Sequence, residues 1–183
     1  MVKRKKSYIK KINQLDTLSV HAGVKTDPLT GAVMTPIYAT STYAHDRPGE
    51  HKGYEYSRSQ NPTREVLENS IAELESGYKA FAFASGVAAQ TAVLDLLNPG
   101  DHVIAFDDLY GGTFRLFNEI KSKSSSIEFT FVDLNTNFSK EIKKNTKMIW
   151  IETPTNPLLK ITDLKRIARI ARKNKLITVC DNT

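Results

Sequence analysis

Four short polar segments sit where apolar runs end, and they hold the residues able to do chemistry. They are Ser85-Gly86, Asp107-Asp108-Leu109-Tyr110, Glu152-Thr153-Pro154-Thr155-Asn156 and Asp181. Asp181 closes the run from Leu176 to Cys180, which reads as a buried strand. A carboxylate there is costly unless something pairs it, and a protonated pyridine nitrogen would do so. Ser85 to Ala89 are all small and join an apolar run to a helix. Bare N–H groups at a helix start favour phosphate or another anion, although a tight turn packing helix on sheet explains the same residues. Neither G-x-G-x-x-G nor G-K-[ST] is present, so there is no dinucleotide fingerprint and no P-loop. Tyr110 stands beside Gly111 and Gly112. Its ring could stack on a flat heteroaromatic that the glycines let approach, or it is a turn with a surface tyrosine. Asn156 lies between Pro154 and Pro157. That stiff loop either holds the amide for a ligand oxygen or merely leads into the next helix.

The elements that must position these residues alternate. Asn61-Pro62 opens a helix by a cap and a first-turn proline, with Val66, Leu67, Ile71 and Leu74 as its apolar face. Strands are expected over 80–84, 102–107, 127–132, 147–152 and 176–181. Helices are expected over 86–97, 113–123 and 138–144, with a last one capped by Thr162. Strand and helix in alternation call for an α/β fold with a parallel sheet covered on both faces. Such sheets bind ligands at the carboxyl ends of their strands, which is where all four polar segments fall. Residues 1–60 read as an arm and 61–183 as the α/β domain. The arm is aperiodic and too long to be a loop inside a compact domain, so it is expected to pack on a partner subunit.

The net charge of +6 is local. Residues 1–11 hold Lys3, Arg4, Lys5, Lys6, Lys10 and Lys11 with no acid, leaving 20 cations against 20 acids in the rest. No basic face remains of the kind nucleic acids need, and the tail reads as a solvated extension. No stretch is long and apolar enough to span a membrane. Cys180 is the single cysteine, so no intrachain disulfide or zinc site is expected. A reducing, cytoplasmic setting fits, with Cys180 as plain core. The cations of the last helix, Lys165, Arg166, Arg169, Arg172, Lys173 and Lys175, sit opposite its apolar stripe and read as a solvated face.

Six motifs, in order and spacing, resemble one enzyme family. They are Gly31 to Tyr43, Tyr56 to Arg64, Ser85-Gly86, Asp108 to Thr113, Glu152 to Pro157 and Asp181 to Thr183. They resemble the pyridoxal 5'-phosphate (PLP) enzymes of cysteine and methionine metabolism, of the cystathionine γ-synthase and γ-lyase type, over the N-terminal half only. The resemblance implies the major domain of the aspartate aminotransferase-like PLP fold with an extended arm. It implies an amino-acid substrate, γ-replacement or γ-elimination on O-acylhomoserine or cystathionine, and a homo-oligomer built as a dimer of dimers. Tyr56 and Arg58 match residues that reach a neighbouring subunit's phosphate. Gly86 and Val87 match backbone donors to the phosphate, and Tyr110 the ring that stacks on the cofactor and moves protons. Asn156 matches an amide near the phenolic oxygen, Asp181 the partner of the pyridine nitrogen, and Thr183 a residue beneath the ring. Tyr110-Gly-Gly-Thr113 resembles the γ-synthase and γ-lyase branch more than methionine γ-lyase, which has cysteine at the Gly112 position.

The family's Schiff-base lysine lies beyond Asp-Asn-Thr and is not among these residues. Lys121, Lys123, Lys140, Lys143, Lys144 and Lys147 are expected at exposed or edge positions. The segment is therefore expected to be inactive alone. Two other readings stay open: half of a split enzyme completed by a second chain, or a non-catalytic oligomerisation or PLP-holding module.

Overall fold

The computed structural model describes residues 14–183. The basic tail, residues 1–11, lies outside them. The chain forms two compact units, one ending at Ala82 and one beginning at Phe83.

The first unit holds helices α1 (Gln14–His21) and α2 (Pro62–Leu74) and the short antiparallel pair β1 (His45–Arg47) and β2 (Glu50–His51). Asn61 caps α2 as expected, its side chain accepting from Thr63 N. The aperiodic residues 35–60 are tied to that helix start by side chains. Asn61 Nδ2 donates to Tyr38 O, Thr63 Oγ1 to Pro36 O, and Arg64 to the carbonyls of Ser57 and Ser59. Gly23 has φ +70°, and a Cβ there would strike the α2 backbone at Ser70 and Val66. The expected apolar face of α2 is not a buried one. No α2 residue is buried, and Leu67 and Ile71 are exposed, because the helix meets its unit mainly through its first turn and its backbone near Gly23.

The second unit is an α/β layer. Its strands are β3 (His102–Phe106), β4 (Glu128–Val132), β5 (Thr146–Glu152) and β6 (Ile177–Asp181), all parallel in the order β4-β3-β5-β6. Helix α3 (Gly86–Leu94) precedes the sheet, α4 (Gly111–Arg115) and α5 (Ser122–Ser124) lie in the crossover from β3 to β4, and α6 (Leu164–Lys173) in that from β5 to β6. A π-helical stretch, Leu116–Lys121, joins α4 to α5. The inner strands β3 and β5 carry the core: Val103, Ile104, Phe106, Met148, Ile149, Trp150 and Ile151 are essentially inaccessible. Phe117 packs edge-on against Trp150 at 5.0 Å and stacks on Phe129 at 4.8 Å. Helix α6 buries Ile167 and Ala171 and turns most of its cations outward. Arg166 instead donates to the carbonyls of Leu134 and Thr136.

Further expectations are corrected. Residues 80–84 form no strand: among the described residues nothing pairs with their backbone as a ladder, and Phe81 and Phe83 stay exposed. Among the described residues β6 pairs with β5 alone, which leaves Ile177 and Cys180 exposed within these 183 residues. Thr162 does not cap α6. Asp163 does, its carboxylate accepting from Arg166 N, and Thr162 is buried with its N–H on Thr153 Oγ1. Lys121 is not exposed. The π-helical stretch turns it inward, and its Nζ meets Asp95 at 2.6 Å.

At the amino end of the sheet His102 is fully buried, its ring nitrogens 2.8 Å from the hydroxyls of Thr146 and Thr130. Burial holds its pKa below the ordinary 6.5, helped by Lys143 and opposed by Glu128 and Glu141. A histidine kept neutral in the fold takes up protons more readily when unfolded. Its stabilising share is therefore present above about 6.5 and lost as pH falls below that value. In urea unfolding between pH 7.5 and 5, the wild type should lose stability relative to His102→Gln. A constant gap between the two would contradict this.

Candidate functional site

The carboxyl ends of β3, β5 and β6 and the start of α3 enclose one cavity of about 680 Å³, within the range of small-molecule sites. Ser85, Gly86, Val87, Gln90, Tyr110, Glu152, Asn156, Asp181 and Thr183 line it. It therefore brings together six of the residues singled out from the sequence. The other two, Tyr56 and Arg58, belong to the first unit, where the Arg58 guanidinium lies 5.1 Å from the centre of the Tyr56 ring.

Helix α3 starts at the cavity because Ser85 is a good N-cap. Its hydroxyl accepts from Ala88 N and its carbonyl from Ala89 N. Of the first-turn donors this leaves the N–H groups of Gly86 and Val87 without a partner among the described residues. A Cβ on Gly86 would meet no atom within 4 Å, so that helix end opens onto space. A positive helix end with two free donors suits an anion.

Tyr110 is the residue before α4 and is half exposed. A methyl group on Gly112 would run into its ring, so the glycine makes room for the aromatic side chain. Below it lies Glu152, which is 4% exposed. Its carboxylate accepts from Tyr110 N at 3.1 Å and from Asn156 N at 2.9 Å. One buried group thus sets the backbone of two cavity loops. Burial raises its pKa above the ordinary carboxylate value; the two N–H donors oppose this, while Asp181 and Asp108 add to it. Asp108 and Thr155 lock the same two loops together. Thr155 Oγ1 donates to Asp108 and accepts from Lys160 N, and Leu158 N also donates to Asp108.

Asp181 ends β6 directly beside Glu152 in the strand register. Its Oδ2 accepts from Gln90 Nε2 at 3.1 Å, and its Oδ1 from Thr183 N and Oγ1 at 3.1 and 2.7 Å. Gln90 was not singled out from the sequence, and Glu152 was named only as the start of the Asn156 loop, without a role of its own. Glu152 carries the same signal as Asp181, a carboxylate ending an apolar strand. Gln90 is a long amide in a helix of small and apolar residues, one turn after Gly86.

Removing the Glu152 carboxylate should unsettle both loops. Glu152→Ala leaves the N–H groups of Tyr110 and Asn156 without their acceptor and should cost about 1–3 kcal/mol in denaturant unfolding. Glu152→Gln keeps an acceptor and should cost less. A carboxyl whose folded pKa is raised stabilises below its unfolded value and loses that share as pH rises. The wild type should therefore lose stability relative to Glu152→Gln as pH climbs from about 4.5. An Ala variant as stable as wild type would contradict the bracing role.

The model of the family described as Cys/Met metabolism PLP-dependent enzyme matches residues 16–183. Cystathionine β-lyase of Coxiella burnetii is 54% identical over 175 residues, which are 94% of this chain and 45% of that protein. Cystathionine γ-lyase of Bacillus subtilis is 53% identical over 169 residues, 91% of this chain and 44% of that protein. Among solved structures, metB from Corynebacterium glutamicum superposes with a TM-score of 0.89 at 43% identity, covering 92% of this chain and 45% of that one. The cystathionine γ-lyase of Lactobacillus plantarum, solved with L-serine, gives 0.88 at 45% identity, covering 93% and 45%. The chain thus spans about half the length of the relatives it matches. With a family model covering nearly all its residues, the chain belongs to the PLP-dependent enzymes of cysteine and methionine metabolism, the family of cystathionine γ-synthases, γ-lyases and β-lyases.

Proposed function

We propose that these residues are the cofactor-holding part of a PLP enzyme that breaks or exchanges the carbon–sulfur or carbon–oxygen bond of cystathionine-type or O-acylhomoserine substrates. One observation carries the reading: a carboxylate at a strand end and two free N–H groups at a helix start line the same cavity. The residues present fit the cofactor. The α3 start offers an anion site, and the cavity has room for a flat ring.

In this reading Gly86 and Val87 hold the phosphate. Asp181 holds a proton on the ring nitrogen, Tyr110 covers the ring and moves protons, and Asn156 meets the phenolic oxygen. Thr183 lies beneath the ring. Bound there, PLP supplies an electron sink for cleaving bonds at the substrate's α-carbon. Glu152 keeps Tyr110 and Asn156 in place. Relatives of similar identity include both β- and γ-lyases, so γ-chemistry rests on the Tyr110-Gly-Gly-Thr113 motif. Covalent attachment needs a lysine, and among the described residues none lines the cavity. We infer that none of the described residues supplies it.

Tyr56 and Arg58 would serve the phosphate of a neighbouring subunit. Support comes from the arm itself, whose Leu29, Val33, Met34 and Ile37 are largely exposed, as a segment that packs on a second copy requires. Among the described residues no helix is long and apolar enough to cross a membrane, and a cytoplasmic setting suits the single cysteine.

The test is an absorbance titration with PLP. Asp181→Ala should weaken binding about ten- to a hundredfold, as for the loss of a charge-assisted contact. Reduction with borohydride and mass spectrometry should find no stoichiometric lysine adduct on the 183 residues alone. A protein that takes up no PLP would contradict the cofactor reading. A specific adduct, with α-keto acid released from cystathionine by these residues alone, would contradict the inference about the lysine.

A further inference from the structure

The polar side chains of α3 behave differently. Thr91 returns its hydroxyl to Val87 O of its own helix. Gln90 is turned inward and is 7% exposed. Its Nε2 spends both hydrogens, one on Thr113 Oγ1 at 2.9 Å and one on Asp181 Oδ2 at 3.1 Å. The amide can face only this way. Reversed, Oε1 would lie against the Asp181 carboxylate, acceptor on acceptor. Thr113 is itself fully buried on α4, so the brace is anchored at its far end. Gly86 and Gln90 stand four residues apart on one helix and share a face. The same short helix therefore presents the free N–H groups at its end and the amide one turn further in.

Asp181 is thereby gripped on both oxygens, by Thr183 and by Gln90. The two grips differ in kind. Thr183 is exposed and only two residues from Asp181. Gln90 is buried and 91 residues away in sequence. It ties the strand end to the helix that faces the anion. An N–H aimed at a carboxylate oxygen is strongest when that oxygen carries charge.

We propose that Gln90 is a positioning residue that holds Asp181 Oδ2, and through it keeps the ring nitrogen of bound PLP protonated. The proposal rests on the cofactor reading above. Gln90 touches no reacting atom and acts through Asp181.

The experiment uses PLP labelled with ¹⁵N at the ring nitrogen, whose chemical shift reports protonation directly. The nitrogen is followed against pH in the wild type, Gln90→Met, Gln90→Asn and Asp181→Asn. Circular dichroism checks the fold of each, and PLP affinity is measured alongside. Met keeps the volume and loses the donor; Asn keeps the amide but is too short to reach. Both Gln90 variants should still bind PLP, because Gly86 and Val87 are untouched. In both, the midpoint for losing the ring proton should fall by about one pH unit, equivalent to ~1.4 kcal/mol. Asp181→Asn should shift it further. If either folded Gln90 variant superimposes on the wild type while Asp181→Asn is shifted, the Gln90 proposal is wrong and the cofactor reading stands. If Asp181→Asn also superimposes, or the wild type binds no PLP, the cofactor reading fails and this proposal with it.

Discussion

Two carboxylates end neighbouring parallel strands in register, Glu152 on β5 and Asp181 on β6, and the rest of the site is built around keeping them there. Strand pairing brings like charges together at a partly buried edge, which is unfavourable without compensation. The compensation comes from different sources. Glu152 is met by backbone, the N–H groups of Tyr110 and Asn156. Asp181 is met by side chains, Gln90 from within and Thr183 from outside. Each donor belongs to a segment that also lines the cavity. Satisfying the carboxylates and shaping the site are therefore one arrangement, in which a structural carboxylate supports a chemical one.

Much of this was legible in sequence, because strand ends announce themselves. Asp107, Glu152 and Asp181 each follow an apolar run, and the alternation of period between runs is the signature of a parallel sheet. Asn61 was readable as a cap because the chemistry of a helix start is local. What failed to show was set by neighbours distant in sequence. Residues 80–84 have strand composition, but a strand exists only with a partner, and none pairs with them among the described residues. Lys121 was read as exposed because lysines usually are. A π-helical turn and Asp95 together bring it in.

Gln90 is the instructive omission. A lone glutamine in a short helix carries little signal, and its meaning depends on Thr113 and Asp181 being brought to it by α4 and β6. Gly112 is a milder case. Its use as free backbone beside a ligand was inferred, but the structure also shows it clearing space for the Tyr110 ring. Sequence reasoning finds groups that are unusual for their element. It does not find ordinary groups made special by what packs against them.

A crystal structure of the protein grown with PLP is the most direct test of the account. The account predicts the phosphate on the N–H groups of Gly86 and Val87 and the ring nitrogen beside Asp181, with the Gln90 contact to that carboxylate kept. Phosphate seated elsewhere, or the ring turned with its nitrogen away from Asp181, would contradict it.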